Sequence, residues 1–295
     1  MPAPVSIPPQ LLQRHRLFNR NSEGRWDAFA SHRAQTTALL EQAARPDAPG
    51  RLCVLGAGNC NDLDLRRLLP LFSQIHLCDL DAEALAKVPA RQRLPDGAPL
   101  VMHAPLDLTG ALSRLPRHEK KLPSAADLAA LGQDCVDGVV GQLPGPFDVV
   151  LSACLLSQLM HTCRLALGPD NPALIPIANV MVIAHLRTAL ALTAPGGTTI
   201  VVTDTASSKT YPLVELWDAQ PPLALLDQLE RDDNVLSGTA PTYLRRLLLR
   251  DPALKPLLKS GPRVVPPWLW DLGDEVTLLA YALVMERASG LSSQP

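Results

Sequence analysis

The chain predicts an α/β fold with a mostly parallel sheet. Three observations carry this. Short apolar strand-like runs alternate with helix-like segments along most of the sequence. A Gly-x-Gly turn follows the first of those runs, at Gly56-Ala57-Gly58. An aspartate, Asp79, closes the second run about 20 residues further on.

The elements follow in order. Trp26, Phe29, Ala30, Leu39 and Leu40 set a loose helical pattern between Arg25 and Ala44, and Arg45-Pro46-Asp47-Ala48-Pro49-Gly50 breaks it. Arg51 to Leu55 is the first strand. Asp62 to Phe72 reads as a helix capped by Asn61 or Asp62, with Pro70 disturbing its end. Gln74 to Cys78 is the second strand, and Asp81 to Lys87 opens the next helix. Leu100 to Leu106 and Phe147 to Leu151 are the third and fourth strands. Asn171 to Thr193 is a long helix stopped by Pro195-Gly196-Gly197, and Thr198 to Thr203 is the fifth strand. Trp268 to Trp270 and Glu275 to Glu286 close the sheet. Two long inserts interrupt this order. Thr109 to Pro146 carries the charged cluster Arg117 to Lys121, read as a wet loop. Ala206 to Pro267 is rich in Pro, Leu and Trp.

Composition narrows the function classes. Hydrophobic residues make up 47% of the 295, enough for a large core. The net charge of −2 supplies no basic footprint for a phosphate backbone, so a nucleic-acid partner is disfavoured. Six cysteines show no C-x-x-C pair, so they read as free thiols and no metal site is expected. No apolar run reads as a signal peptide or a membrane span, and the expectation is a cytoplasmic protein.

The glycine turn lets a ligand approach the backbone closely. Asp79 suits a ribose, because a carboxylate accepts two hydrogen bonds from a diol. Both features fit NAD(P) and S-adenosylmethionine alike. A dinucleotide turn carries a third glycine under the pyrophosphate. Here Asn61 and then Asp62 stand near that place, and the acidic charge repels a pyrophosphate but suits the amino group of an amino-acid ligand.

With VLGAGN at 54 to 59, HLCDLD at 76 to 81, APLDLT at 104 to 109, FDVVLSACLLSQL at 147 to 159 and LTAPGGTTIVVTD at 192 to 204, the chain resembles the class I S-adenosylmethionine-dependent methyltransferases. That resemblance implies a Rossmann-like three-layer sandwich with a seven-stranded sheet and an antiparallel closing strand. The core would occupy 50–205 and 264–288, with 1–49 as a helical cap, 206–263 as a substrate lid and 289–295 as a frayed tail. It implies S-adenosyl-L-methionine as cofactor and a small-molecule acceptor methylated on O, N or S. Gly56, Ala57 and Gly58, with Asn59 beside them, would line the methionine part. Asp79 would hold the ribose and Leu80 the adenine face. Asp107 would meet the adenine amino group, with Leu108 beside it. Ser152 and Ala153 would border the methionine and the transferred methyl.

Three residues are candidate catalytic groups. His161 follows the fourth strand on the segment that borders the acceptor in the family, Gln158 offers an amide, and Asp204 ends the fifth strand. Each has a plainer reading, as a surface histidine, a solvated helix position and a cap. Trp217, Trp268, Trp270, Tyr211 and Tyr243 would wall a pocket for an apolar or aromatic acceptor, or form the insert's own core. His32-Arg33 could fold over the cofactor carboxylate, though a solvated helical face is the plainer reading. Two rivals to a methyltransferase stay open: a nicotinamide-dependent oxidoreductase, and a non-catalytic binding or scaffold protein with the same fold. An aminopropyl transferase is weaker, because it wants acidic residues where Ser152 and Ala153 stand.

Overall fold

The computed structural model describes residues 9–115 and 121–289. Arg117 to Lys120 of the charged cluster and nearly all of the expected tail lie outside them. Seven strands form one sheet: β1 (Arg51–Leu55), β2 (Gln74–Cys78), β3 (Leu100–His103), β4 (Phe147–Ala153), β5 (Thr193–Ser207), β6 (Arg263–Asp271) and β7 (Thr277–Glu286). Their order is β3-β2-β1-β4-β5-β7-β6. The pairs from β3 to β5 are parallel, and β7 runs antiparallel to both β5 and β6. This is the Rossmann-like sheet with its closing hairpin.

Helices cover both faces, as a parallel sheet requires. On one face lie α2 (Ala30–Ala43), α3 (Leu65–Leu68), α4 (Ala82–Ala86) and α5 (Val88–Arg91), packed on Val54, Leu77, Leu151 and Val202. On the other lie α6 (Ala125–Val140), α7 (Leu155–Leu167) and α8 (Leu174–Leu192), together with α9 (Leu213–Trp217), α10 (Pro222–Arg231) and α11 (Pro241–Arg250) of the second insert. α8 is long and apolar enough to cross a bilayer by length and composition. Here it is wedged between sheet and insert, with His185 and Leu190 buried.

Several boundaries depart from the sequence reading. The helix expected over 62–72 is the single turn α3, capped by Asp64, whose carboxylate accepts from Arg67 N at 3.4 Å. Pro70 has no N–H with which to extend it. The helical pattern over 25–44 begins only at Ala30, and Pro9–Ser22 forms a helix, α1, that the pattern does not mark. The first insert contains α6, started by a capping box between Ser124 and Asp127. All six cysteines are free and buried.

The strand order reverses between β1 and β4. A crevice opens beyond the carboxyl ends of strands at such a point, and a cavity lies there.

Candidate functional site

The cavity measures about 390 Å³. Its floor is the ends of β1, β2, β4 and β5, and its roof is α1. At the floor, Gly56 (φ +83°) and Gly58 (φ +47°) take left-handed backbone angles. A Cβ on Gly56 would meet Leu155 at 2.7 Å, and one on Gly58 would meet Asn19 Oδ1 at 2.7 Å. The N–H groups of Gly56 and Ala57 both donate to Cys78 O, at 2.9 and 3.0 Å, which ties the turn to β2.

Asp79 is the next residue. Its Oδ2 accepts from Gly58 N (2.8 Å) and its Oδ1 from Asp81 N (2.9 Å). Burial raises its pKa, and those N–H donors pull the other way. The carboxylate lies on the cavity wall beside the glycine turn. Asp81 is structural: it caps α4 through Glu83 N and Ala84 N. Leu80 and Leu108 line the cavity. So does Asp107, whose carboxylate is spent on its own turn, accepting from Thr109 N (2.9 Å), Thr109 Oγ1 (2.6 Å) and Leu112 N (2.9 Å).

The end of β4 divides by strand alternation. Ala153 faces the cavity. Ser152 faces the opposite side of the sheet, fully buried, with Oγ 2.7 Å from His185 Nε2. Ser152 is therefore not on the cavity wall, contrary to the expected placement. Cys154, at φ +51°, takes the next place on the wall.

Next to the glycine turn the cavity is rich in acceptors. Asn59, Asn61 and Asp62 line it. Asn61 Oδ1 and Asp62 Oδ1 are buried with no hydrogen-bond partner among the described residues. Behind Asp62 sits His32, fully buried and stacked on Trp270 at 4.0 Å, not on a solvated face. Trp268 Nε1 donates to His32 Nδ1 at 3.0 Å, so the ring proton sits on Nε2, 3.6 Å from Asp62 Oδ1 and beyond hydrogen-bond reach. Burial drops the His32 pKa to about 3, so the ring is neutral and offers Asp62 no counter-charge. Burial raises Asp62 itself to about 7. The charge of Arg33 offsets part of that rise, while its guanidinium stacks 3.5 Å over Trp26 and donates to Trp26 O and Asn61 O. Neither residue of the His32-Arg33 pair is on the cavity wall.

The roof is fastened by polar contacts. Asn59 Nδ2 donates to Asn19 O (2.5 Å) and Ser22 Oγ (3.0 Å), and Asn61 Nδ2 to Ser22 O (2.7 Å). Asn19 Nδ2 donates to Asp81 Oδ2 at 3.2 Å. Arg25, after α1, bonds Leu272 O and Asp274 across the cleft.

Of the catalytic candidates, Gln158 and Asp204 line the cavity and His161 does not. His161 packs edge-on against Phe18, ring centres 5.6 Å apart, outside the wall. Gln158 Nε2 donates to Cys154 O at 3.1 Å. Asp204 Oδ1 accepts from Ser157 Oγ at 2.6 Å, and burial raises its pKa. The histidine on the wall is His15 of α1, which sequence reasoning missed. Thr162 gives its hydroxyl proton to Gln158 O (2.7 Å), so His15 Nε2 donates to Thr162 Oγ1 (3.2 Å) and Nδ1 keeps its lone pair. No motif marks His15, because α1 is polar overall with a single buried residue, Leu11.

The aromatic wall is corrected too. Trp270 lines the cavity, and Trp268 lies behind it on His32. Trp217, Tyr211 and Tyr243 pack into the core under the second insert, where Tyr243 Oη donates to Asn179 Oδ1 at 3.0 Å. No residue of the insert's helices lines this cavity, so the insert is not a lid over it.

No family model and no curated protein matches the sequence. Many solved structures do resemble the fold. One is a SAM-dependent methyltransferase from Methanosarcina mazei, 10% identical, covering 85% of this chain and 97% of that one, with TM-score 0.46. Another is the YcgJ protein from Bacillus subtilis, 12% identical, covering 86% and 98%, with TM-score 0.45. A third is the N-methyltransferase NodS from Bradyrhizobium japonicum in complex with S-adenosyl-L-homocysteine, 11% identical, covering 86% of each chain, with TM-score 0.40.

Proposed function

We propose that the cleft binds S-adenosyl-L-methionine and that the protein transfers its methyl group to a small-molecule acceptor. One observation carries this reading. A single cavity holds Asp79, beside a close-approach glycine turn, and the partnerless oxygens of Asn61 and Asp62. The first suits a ribose diol and the second an ammonium group, which is the pattern of an aminoacyl nucleoside. A pyrophosphate at Asp62 would place negative charge against a carboxylate.

The cofactor supplies an electrophilic methyl on a sulfonium. The protein's part is positioning and exclusion of water. Asp79 orients the ribose, and Leu80 and Leu108 take the adenine. Asn61 and Asp62 hold the amino group, and Gly56 and Gly58 leave the room a side chain would fill. α1 closes the roof. Cys154, Gln158, Asp204 and Trp270 surround the space left for the acceptor.

Asp79→Ala tests the reading. Loss of a charged acceptor costs roughly 1.5–3 kcal/mol, so affinity for S-adenosylhomocysteine, read by calorimetry, should fall tenfold or more. Unchanged affinity in a folded variant contradicts the ribose role.

A further inference from the structure

Asp204 is a carboxylate in an apolar row. On β5, Ile200, Val202 and Asp204 share one face of the sheet, and the first two are core residues. Across the ladder Asp204 pairs with Ala280, and Ala280 with Trp268. One step further along the same face, Leu278 pairs with Trp270. Leu278 and Trp270 line the cavity together with Asp204. Asp204 is 7% exposed, and what it exposes is on the cavity wall. Ser157, in the first turn of α7, donates to Oδ1 at 2.6 Å, and a backbone N–H also reaches the carboxylate, which keeps a face on the cavity. A carboxylate so placed is costly to bury without a donor.

The rest of the wall tells which charge on a ligand Asp204 suits. Four aspartates line the cavity: Asp62, Asp79, Asp107 and Asp204. Asp107 is saturated by its own turn, and the proposed cofactor reading accounts for Asp79 and Asp62. Among the described residues Arg25 is the one arginine or lysine on the wall, and it is already paired with Leu272 O and Asp274. Among the described residues an anionic acceptor therefore has no free cation to meet, and a cationic one meets Asp204. Resting on the methyltransferase reading, we infer that the acceptor is an amine on an apolar body, with Asp204 as the group that binds its nitrogen and takes its proton.

The step balances. A proton passes from the acceptor's ammonium nitrogen to Asp204 Oδ2. The freed lone pair forms the N–C bond to the methyl as the C–S bond breaks, and S-adenosylhomocysteine leaves with the electron pair on sulfur. Ser157 keeps Asp204 Oδ1 occupied, so the other oxygen faces the acceptor. The raised pKa of Asp204 makes it a better proton acceptor than an exposed aspartate.

The test uses the full-length protein, S-adenosylmethionine with a labelled methyl, and matched amine, alcohol and thiol probes on benzyl, phenylethyl and octyl bodies. Transfer to amines, with alcohols and thiols inert, is expected. Asp204→Asn should lower amine turnover on the order of 100-fold while S-adenosylhomocysteine affinity stays within about twofold. Ser157→Ala should fall between the two. Transfer only to alcohols or thiols, transfer to no probe by a protein that binds S-adenosylhomocysteine, or wild-type turnover in Asp204→Asn overturns the amine assignment. Failure of the wild-type protein to bind S-adenosylhomocysteine instead removes the methyltransferase reading beneath it.

Discussion

Two segments are added to the sheet, and they do different work. The N-terminal segment, α1 with the turn to α2, lies over the carboxyl ends of the strands and supplies His15, Phe18, Asn19, Ser22 and Arg25 to the cavity. The second insert, α9 to α11, packs its leucines against the sheet and α8, away from those ends. α1 has one buried residue, Leu11, and is held by polar contacts. The insert buries Leu213, Leu225, Leu226, Leu229, Leu244 and Leu248. A segment held by hydrogen bonds can open at small cost, whereas one that shares the main core opens only with it. The roof is therefore expected to open more readily than the insert.

The largest effect expected from this contrast is on folding. Leu244→Ala should cost about 2–5 kcal/mol in urea unfolding and leave S-adenosylhomocysteine affinity unchanged. A large affinity loss at native stability would break the contrast. At the floor beneath the roof, Asp62 titrates near pH 7. Only its ionised form attracts an ammonium group, so affinity should fall about tenfold from pH 8 to pH 6 and this dependence should vanish in Asp62→Asn. A flat profile in the wild-type protein removes Asp62 from the amino-group site. Asn19→Ala removes one latch of the roof. It should weaken binding several-fold, about 1 kcal/mol, mostly by faster release in stopped-flow, with the unfolding midpoint hardly moved. His161→Ala should change turnover by less than about twofold, because the ring lies outside the cavity; a large loss would return it to the mechanism.

Much of the sheet was legible because each buried strand carries its own signal. Arg51 to Leu55 and Gln74 to Cys78 are found at the expected bounds, and the glycine turn and Asp79 meet where their spacing puts them. What was not legible depends on facing. Ser152 and Ala153 are neighbours in sequence and lie on opposite faces, which the period-2 alternation through Val149, Leu151 and Ala153 encodes but a motif does not. α1 hides because its inner face meets a polar cleft and its composition is polar, with Leu11 its one buried residue. The insert's leucines predict burial and are silent on which side of the sheet receives them. His32 reads as solvated from its charged neighbour Arg33, yet the stacking of Trp270 and the hydrogen bond from Trp268 make it core.

The central claim is that the cleft recognises an aminoacyl nucleoside. Titration calorimetry with S-adenosylhomocysteine, run beside NAD and NADP, tests it most directly. Saturable 1:1 binding of S-adenosylhomocysteine with no heat from either dinucleotide is the predicted result. Binding of NAD or NADP in its place would contradict the account.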